Sequence, residues 1–367
     1  MKEIPKPHRK LRLLFWESTV RCNLACGYCR RVETNKAAGS DLCTSDAKRL
    51  IEQVSRLGEE QSFMPIMVFS GGEPLCRPDL FELAENAHAA GLHCALATNG
   101  TLIDSRTAGR INRSGIARVA VSIDGPDAPS HDASRQVQGA FEKAVGGITR
   151  LRAAGVPFQI NVTVTKGNYR YLPRLYDLGG SLGAAAVHFF MLVPVGCGRL
   201  LPESELLTPR QYEQTLLEIF RLESRRELEI KVTCAPHYER IACQHGRSYM
   251  RSSNPAGADI MKPSGHGAAG GCLAGRGVLF VGHGGEVFPC GYLPVSCGNC
   301  LKKPLASIWF ESEILAGLAD RRRLGGKCGI CDWRWSCGGC RARAYAATGD
   351  YMAEEPFCIY APAASRA

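Results

Sequence analysis

The chain has 367 residues, 45% of them hydrophobic and 22% charged, which is typical of a globular protein with room for more than one domain. No apolar run is long enough to span a bilayer, and no secretion signal follows the basic start, so we expect a cytoplasmic protein without membrane contact. The formal net charge of +10 favours an anionic small-molecule partner, and we expect no nucleic-acid partner.

Short apolar runs alternate with amphipathic segments through the first half of the chain. The predicted strands are Leu11–Thr19, Pro65–Ser70, His93–Thr98, Arg118–Asp124, Phe158–Thr165 and Ala185–Pro194. The predicted helices are Ser45–Leu57, Pro78–Ala90, Ser105–Ser114, Gly139–Ala154 and Leu172–Leu182. The strands are continuous apolar runs, typical of parallel strands covered on both faces. Right-handed crossovers between them predict an α/β fold, a partial (β/α)6 TIM-type barrel over residues 11–195.

The remaining chain divides into a connector and a cysteine-rich region. The connector, residues 196–265, has a predicted helix at Pro209–Arg225 and a strand at Glu229–Thr233, and the stretch Arg251–Gly271 is predicted as a loop or linker. Residues 266–367 form the predicted second domain. Many of the 18 cysteines lie there, and clustered cysteines in a cytoplasmic protein more often hold metal than form disulfides.

Polar and glycine-rich residues follow the predicted strands, where the active sites of such barrels lie. Cys22, Cys26 and Cys29 follow the first strand with the spacing C-x3-C-x2-C. Three thiolates on one loop can hold three irons of a 4Fe–4S cluster and leave the fourth iron without a protein ligand. A closed zinc site needs four ligands, so this loop alone does not make one.

This loop, followed by Gly71-Gly72-Glu73-Pro74 after the second strand, resembles the radical S-adenosylmethionine (SAM) superfamily from Leu11 to about Pro194. The resemblance implies that the open iron chelates SAM and that reductive cleavage of SAM makes a carbon radical. It also implies that Gly71, Gly72, Glu73 and Pro74 bind the methionine amine. Ser122 and Asp124 would lie near the ribose. The adenine side would be lined by Tyr28, Asn161, Thr163 and Leu192.

The later cysteines resemble the SPASM extension of radical SAM enzymes, which carries auxiliary 4Fe–4S clusters. They occur in the order Cys272, Cys290, Cys328, Cys331, Cys337, Cys340 and Cys358. The gap between Cys337 and Cys340 is one residue shorter than is usual in that extension. Two C-x2-C units are also typical of a structural zinc site, and that alternative stays open.

By this resemblance one auxiliary cluster takes the ligands Cys328, Cys331, Cys337 and Cys358. Another takes Cys272, Cys290 and Cys340. Its fourth ligand is Cys297, Cys300, Cys234 or none, so one or two auxiliary clusters are expected.

Over nearly its whole length the chain resembles the SAM-dependent heme synthases of the siroheme-derived pathway. The runs that carry the likeness are Leu11–Glu17, Phe158–Lys166, Leu192–Gly198, Thr233–Tyr238, Cys337–Tyr345 and Gly349–Tyr351. The resemblance implies oxidative decarboxylation of two propionates of iron-coproporphyrin III to vinyl groups, giving heme b, with an electron donor such as flavodoxin or ferredoxin.

Several side chains are candidates for contacts with such a substrate. Arg199, Arg341 and Arg343 are candidate clamps for its carboxylates. His188 and His237 are candidate axial ligands for its iron.

Two features depart from the heme synthase pattern, namely the residues 30–35 after Cys29 and the additional Cys300. A maturase that modifies a peptide or an activator of sulfatases is therefore the alternative function. A scaffold without catalysis is the non-enzymatic alternative, and the Gly71–Pro74 loop argues against it.

Overall fold

The computed structural model describes residues 9–31, 41–247, 249–253, 259–263 and 271–363. Its strands are β1 (Leu13–Glu17), β2 (Ile66–Ser70), β3 (His93–Thr98), β4 (Ile116–Ser122), β5 (Phe158–Val164), β6 (Ala186–Met191), β7 (Glu229–Thr233), β8 (Tyr249–Ser253), β9 (Asp259–Pro263), β10 (Val278–Val281), β11 (Glu286–Phe288) and β12 (Gly298–Asn299). Its helices are α1 (Thr44–Glu60), α2 (Leu80–Ala89), α3 (Ser105–Arg113), α4 (Ala128–Arg135), α5 (Ala140–Ala153), α6 (Leu172–Leu182), α7 (Pro209–Ser224), α8 (Tyr238–Gln244), α9 (Leu305–Glu311), α10 (Glu313–Ala319), α11 (Gly326–Gly329) and α12 (Arg341–Thr348).

The central sheet has parallel strands in chain order. Strands β1 to β7 are each hydrogen-bonded to the next, with helices between them. All carboxyl ends of these strands therefore lie at one edge. This arrangement confirms the predicted α/β partial barrel, and the predicted core strands and helices are all present.

Side-chain alternation places a closed apolar layer outside the sheet and an open polar layer inside it. On β5, Ile160, Val162 and Val164 are fully buried against the helices, whereas the alternate residues Asn161 and Thr163 are only half-buried. Apolar positions of α1, such as Leu50, recur on one face and pack on the same core. The face toward the barrel lumen is thus left free for a ligand.

The sheet extends beyond the predicted barrel at both ends. Strand β7 pairs with β6, and β10 runs parallel to β1, with Leu13 opposite Val278. Strands β11 and β12 continue as antiparallel neighbours. The domain boundaries at residues 195 and 265 stay predictions, but backbone hydrogen bonding continues across both.

Two features differ from the expectation. The loop predicted over Arg251–Gly271 is wrong in part, because β8 and β9 form an antiparallel pair. Backbone pairing supplies that structure, and composition does not reveal it; residues 254–258 and 264–270 lie outside the described residues. Helix α4 was not predicted, although Asp127 caps it by accepting the Ser130 amide at 3.1 Å.

Candidate functional site

Cys22, Cys26 and Cys29, the first cysteine loop, lie directly after β1 at the carboxyl edge of the sheet. The Cys29 amide donates to the Cys26 carbonyl at 3.1 Å, and the Leu24 amide donates to the Cys22 sulfur at 3.5 Å. Burial, with smaller contributions from Glu73 and the neighbouring Cys26 thiol, raises the pKa of Cys22 to about 11. Binding of a metal cluster to these thiols must therefore release protons.

The Gly71–Pro74 loop packs directly against the first cysteine loop. A Cβ on Gly72 would lie 2.3 Å from the Arg21 carbonyl oxygen, and a Cβ on Gly71 would lie 2.5 Å from that of Thr19. The Gly72 amide donates to the Thr19 carbonyl at 2.8 Å. Only glycine allows the two backbones to approach this closely.

Glu73 ties the ends of β2 and β3 together. Its carboxylate is fully buried and accepts hydrogen bonds from the Thr98 hydroxyl at 2.7 Å and the Asn99 amide at 2.8 Å. Burial raises the pKa of Glu73, although these donors oppose the rise. The Glu73 side chain therefore orients the loop, and its contacts are with the protein itself.

Asp124 and Arg135 form a buried ion pair beside the first cysteine loop. Their charged atoms are 2.7 Å apart, and Asp124 also accepts from the Thr163 amide at 2.7 Å and from the Tyr28 hydroxyl. Arg135 lies 3.7 Å from the Cys26 sulfur. Burial opposes the positive charge, but Asp124 raises the pKa of Arg135. Sequence reasoning missed Arg135 because it missed α4, whose start is signalled by the Asp127 cap and Pro129.

A second network joins the loop to the C-terminal strands. Arg30 contacts Glu17 at 2.5 Å, and His283 contacts the other Glu17 oxygen at 3.2 Å. The Arg30 guanidinium also lies 4.2 Å from the centre of the Phe280 ring on β10. Burial alone would raise the pKa of Glu17, but Arg30 and His283 lower it to about 2. Sequence reasoning missed the contacts of His283 with Glu17 and of Arg30 with Phe280, because they join residues far apart in the chain.

The predicted ribose and adenine residues line the lumen side of neighbouring strands. Ser122 is opposite Asn161, which is opposite His188 on β6. Thr163 lies further toward the carboxyl edge, and the Leu192 amide donates to the Val164 carbonyl at 3.2 Å. The structure thus brings these residues to one side of the barrel, and their contacts with SAM stay predictions.

Four predicted cluster ligands line one cavity, the C-terminal cysteine cavity, which is formed by Cys328, Cys331, Cys337 and Cys358. Three of their sulfurs each accept a backbone amide at 3.4 Å, from Glu355, Trp333 and Gly339. Such amides favour the thiolate form. His237 also lines this cavity, so it does not lie at the barrel lumen as an axial ligand of a substrate there would.

The other three predicted ligands, Cys272, Cys290 and Cys340, form a separate group, the middle cysteine group. They pack in one satellite cluster with Leu293 and Ala342, and their thiols are close enough to interact electrostatically. The second C-x2-C unit is therefore split, with Cys337 in the cavity and Cys340 in the middle group. A zinc site that uses both units would keep all four thiols together.

Both C-terminal arginines proposed as carboxylate clamps are occupied elsewhere. Arg343 is fully buried and pairs with Glu355 at 2.9 Å. Arg341 is also buried and donates to the carbonyls of Tyr351 at 3.0 Å and Ala353 at 2.7 Å. That prediction is wrong for both, because these side chains hold the C-terminal chain in place. Arg199 is exposed and stays a candidate.

The residues present fit iron–sulfur clusters. Around the C-terminal cysteine cavity, both ring nitrogens of His237 and the Nε atoms of Arg240 and Arg334 are buried without a hydrogen-bond partner among the described residues. Beside Cys26, the Nε atom of Arg135 is likewise buried without a hydrogen-bond partner among the described residues. Within the described part of the chain, no three His, Cys, Asp or Glu side chains converge closely enough to hold a single metal ion. Thiols around a cavity suit a larger, sulfide-containing group.

Comparison with known proteins supports this interpretation. Residues 16–178 match the model of the radical SAM superfamily, and residues 272–338 match that of an iron–sulfur cluster-binding domain, SPASM. An AdoMet-dependent heme synthase of Methanosarcina barkeri is 45% identical over 96% of this chain and 97% of its own. The chain belongs to the radical SAM family of the AdoMet-dependent heme synthases. Another such synthase, from Nitratidesulfovibrio vulgaris, is 42% identical over 96% of this chain and 93% of its own.

Solved structures show the same fold for this radical SAM enzyme. SuiB of Streptococcus suis, in a crystal structure bound to S-adenosylmethionine, superposes with a TM-score of 0.74 at 17% identity, over 96% of this chain and 78% of SuiB. Membership of the superfamily implies a 4Fe–4S cluster and SAM, and the SPASM region implies auxiliary iron–sulfur clusters. None of the described helices is both long and apolar enough to cross a membrane.

Proposed function

We propose that this radical SAM enzyme oxidatively decarboxylates two propionates of iron-coproporphyrin III to vinyl groups, producing heme b. The observation that carries the proposal is the 45% identity to an AdoMet-dependent heme synthase over 96% of the chain. A ferredoxin or flavodoxin supplies the electrons. When bound, the first cluster and SAM supply a carbon radical that removes a hydrogen atom, and an auxiliary cluster offers an acceptor for the electron left after loss of carbon dioxide.

The first cysteine loop would hold the cluster that binds SAM. Gly71 and Gly72 bring the Gly71–Pro74 backbone against that loop, so its polar groups lie beside the position of the methionine part of SAM. Arg135 places a buried positive charge near Cys26, which favours anionic groups there. Ser122, Asp124, Tyr28, Asn161, Thr163 and Leu192 would surround the nucleoside part.

Two auxiliary clusters would occupy the C-terminal region, one in the C-terminal cysteine cavity and one at the middle cysteine group. Tyr292 packs against the satellite cluster of the middle group and is near enough to interact electrostatically with Cys290 as well as with Arg30 and Cys29. The middle group is thus linked through one side chain to the first cysteine loop.

The half-buried lumen face would receive the porphyrin. His188 lies on this face, its Nδ1 is 3.0 Å from the Gln159 amide nitrogen, and its Nε2 has no hydrogen-bond partner among the described residues. Burial, with smaller contributions from the positive charges of Lys231 and Arg118, lowers the pKa of His188 to about 3. A neutral imidazole is able to bind iron, and the two cations suit a substrate rich in carboxylates.

The test is anaerobic incubation of the reconstituted protein with iron-coproporphyrin III, SAM and dithionite, followed by mass analysis of the porphyrin. We expect heme b, preceded by an intermediate that has lost one carboxyl group. A variant with Cys22, Cys26 and Cys29 changed to Ala is the control and should cleave no SAM. SAM cleavage by the wild type without any change in porphyrin mass would refute the heme proposal and favour a peptide substrate.

A further inference from the structure

The middle cysteine group contains three thiols, whereas a 4Fe–4S cluster held entirely by protein takes four. Three further cysteines are the candidates for the fourth ligand: Cys234 precedes the group in the chain, and Cys297 and Cys300 lie between Cys290 and Cys340. Their surroundings in the structure distinguish them.

Cys297 and Cys300 lie with the barrel core. Cys300 is buried there, and its carbonyl accepts from Gln53 of α1 at 3.0 Å. Cys297 packs against the same core, and its thiol interacts with Ser312 and Arg9. Neither thiol packs in the satellite cluster that contains the middle cysteine group.

Cys234 has different neighbours. It follows the last residue of β7 and packs in the satellite cluster that contains Cys272, Cys290 and Cys340. Its thiol interacts electrostatically with all three of those thiols. Among these three candidates, Cys234 is thus the one whose interactions reach the whole middle group.

The backbone at Cys234 is also unusual. Its φ is +59°, in the left-handed region that a non-glycine residue rarely adopts. The other described non-glycine residues with positive φ, Ser62, Gln136 and Arg226, lie where α1, α4 and α7 end, a common place for this conformation. Cys234 instead follows a strand, and the buried Tyr212 hydroxyl donates to its carbonyl at 3.1 Å. Such strain persists where the surroundings hold it, often at functional sites.

We propose that Cys234 is the fourth protein ligand of the auxiliary cluster held by Cys272, Cys290 and Cys340. The inference rests on the proposed presence of that cluster, but not on the identity of the substrate. It connects the end of β7, in the barrel sheet, to the SPASM region through a metal cluster. The cluster would then have no open iron.

The test uses full-length protein in which Cys22, Cys26 and Cys29 are Ala, so that only auxiliary clusters remain. Into it we introduce Cys234→Ala, or Cys243→Ala as the matched control, since Cys243 is the next thiol along the chain, on α8, and belongs to neither C-terminal cysteine set. We expect the control to hold ~8 iron atoms per chain in two cubane clusters. The Cys234→Ala variant should lose ~4 of them, or show one distinct iron by Mössbauer spectroscopy and yield a [3Fe–4S] EPR signal on mild oxidation.

Identical iron content and spectra in the two variants would overturn the inference. If Cys234→Ala does not fold, alkylation of wild type decides: Cys234 should be protected in the loaded protein and labelled after iron chelation, while Cys243 is labelled in both. Labelling of Cys234 in the loaded protein also overturns it. A control variant without iron and sulfide would instead refute the auxiliary clusters themselves, and the porphyrin assay tests the substrate separately.

Discussion

Gly72 shows how one residue determines the geometry of the first cysteine loop. The absent Cβ lets the Arg21 carbonyl approach to a distance that no side chain would permit. Some glycines elsewhere in the chain have no such neighbour. Gly180 in α6, for example, has no atom within 4 Å of the position of a Cβ.

We therefore predict that Gly72→Ala separates the Gly71–Pro74 loop from the first cysteine loop. SAM cleavage should fall by more than about tenfold, because displacement of reacting groups by about 1 Å costs far more than that in rate. The comparison is with Gly180→Ala, which should retain full cleavage and be slightly more stable, since alanine favours helix. Equal cleavage by both variants would contradict the close-packing argument.

His188 offers a test of porphyrin binding that is independent of turnover. In anaerobic mixtures of protein and ferric coproporphyrin III, the wild type should perturb the Soret band and the spin state through an axial nitrogen. His188→Ala should abolish that perturbation. The exposed His245 is the control, and His245→Ala should leave the spectrum of the mixture unchanged. If the mixture with His188→Ala has the same spectrum as the mixture with the wild type, His188 is not an axial ligand.

At the scale of elements, the C-terminal segment is held by the buried pair of Arg343 on α12 and Glu355. Glu355 pairs with the Arg343 guanidinium and also accepts the Cys340 amide at 2.7 Å, and its own amide donates to the Cys328 sulfur at 3.4 Å. This one residue thus contacts members of both C-terminal cysteine sets. Its pairing with Arg343 explains why that arginine is unavailable to a substrate.

We predict that Glu355→Gln destabilises the folded protein by about 3–5 kcal/mol, since it leaves the Arg343 charge buried and unpaired. Iron content of the SPASM region should fall in parallel. The exposed pair of Glu52 and Arg56 on α1 provides the control, and Glu52→Gln should cost less than about 0.5 kcal/mol. Anaerobic urea unfolding measures both. A loss for Glu355→Gln no larger than for the control would show that the pair is not structural.

For the whole molecule, β10 and His283 attach the SPASM region to the barrel beside the first cysteine loop. The hydrogen bond to Glu17 raises the pKa of His283 above its ordinary value. Because the folded-state pKa is raised, this contact contributes its full stability below the ordinary value of 6.5 and loses it as the pH rises through the higher folded value. Glu17, whose pKa is lowered to about 2, contributes above pH 4.5 and loses that contribution only in strong acid.

The thermal midpoint of the wild type should therefore decline from pH 6.5 upward more steeply than that of His283→Gln. The difference corresponds to less than about 1 kcal/mol, as for a partly exposed ion pair. His93→Gln, at an exposed position on β3, should follow the wild-type curve. Parallel curves for the wild type and His283→Gln would exclude His283 as the group responsible.

The sequence by itself determined the features encoded over short distances. Apolar residues that recur every 3.6 positions predicted the barrel helices, and continuous apolar runs predicted the strands. Both patterns are contained within the element itself and need no distant residue. The three cysteines of the first cysteine loop lie within eight residues, so their spacing, together with the Gly71–Pro74 motif, predicted the cluster. Motif order likewise indicated the radical SAM family before any contact was known.

Only the tertiary structure decided which distant residues meet. The packing of α12 separates Cys337 from Cys340 and buries Arg341 and Arg343. The packing of the segment after β7 places Cys234 beside the middle cysteine group. Arg135 and His283 reach the first cysteine loop in the same way. Such contacts form between residues far apart in the chain, and the sequence between two such residues does not indicate that they meet.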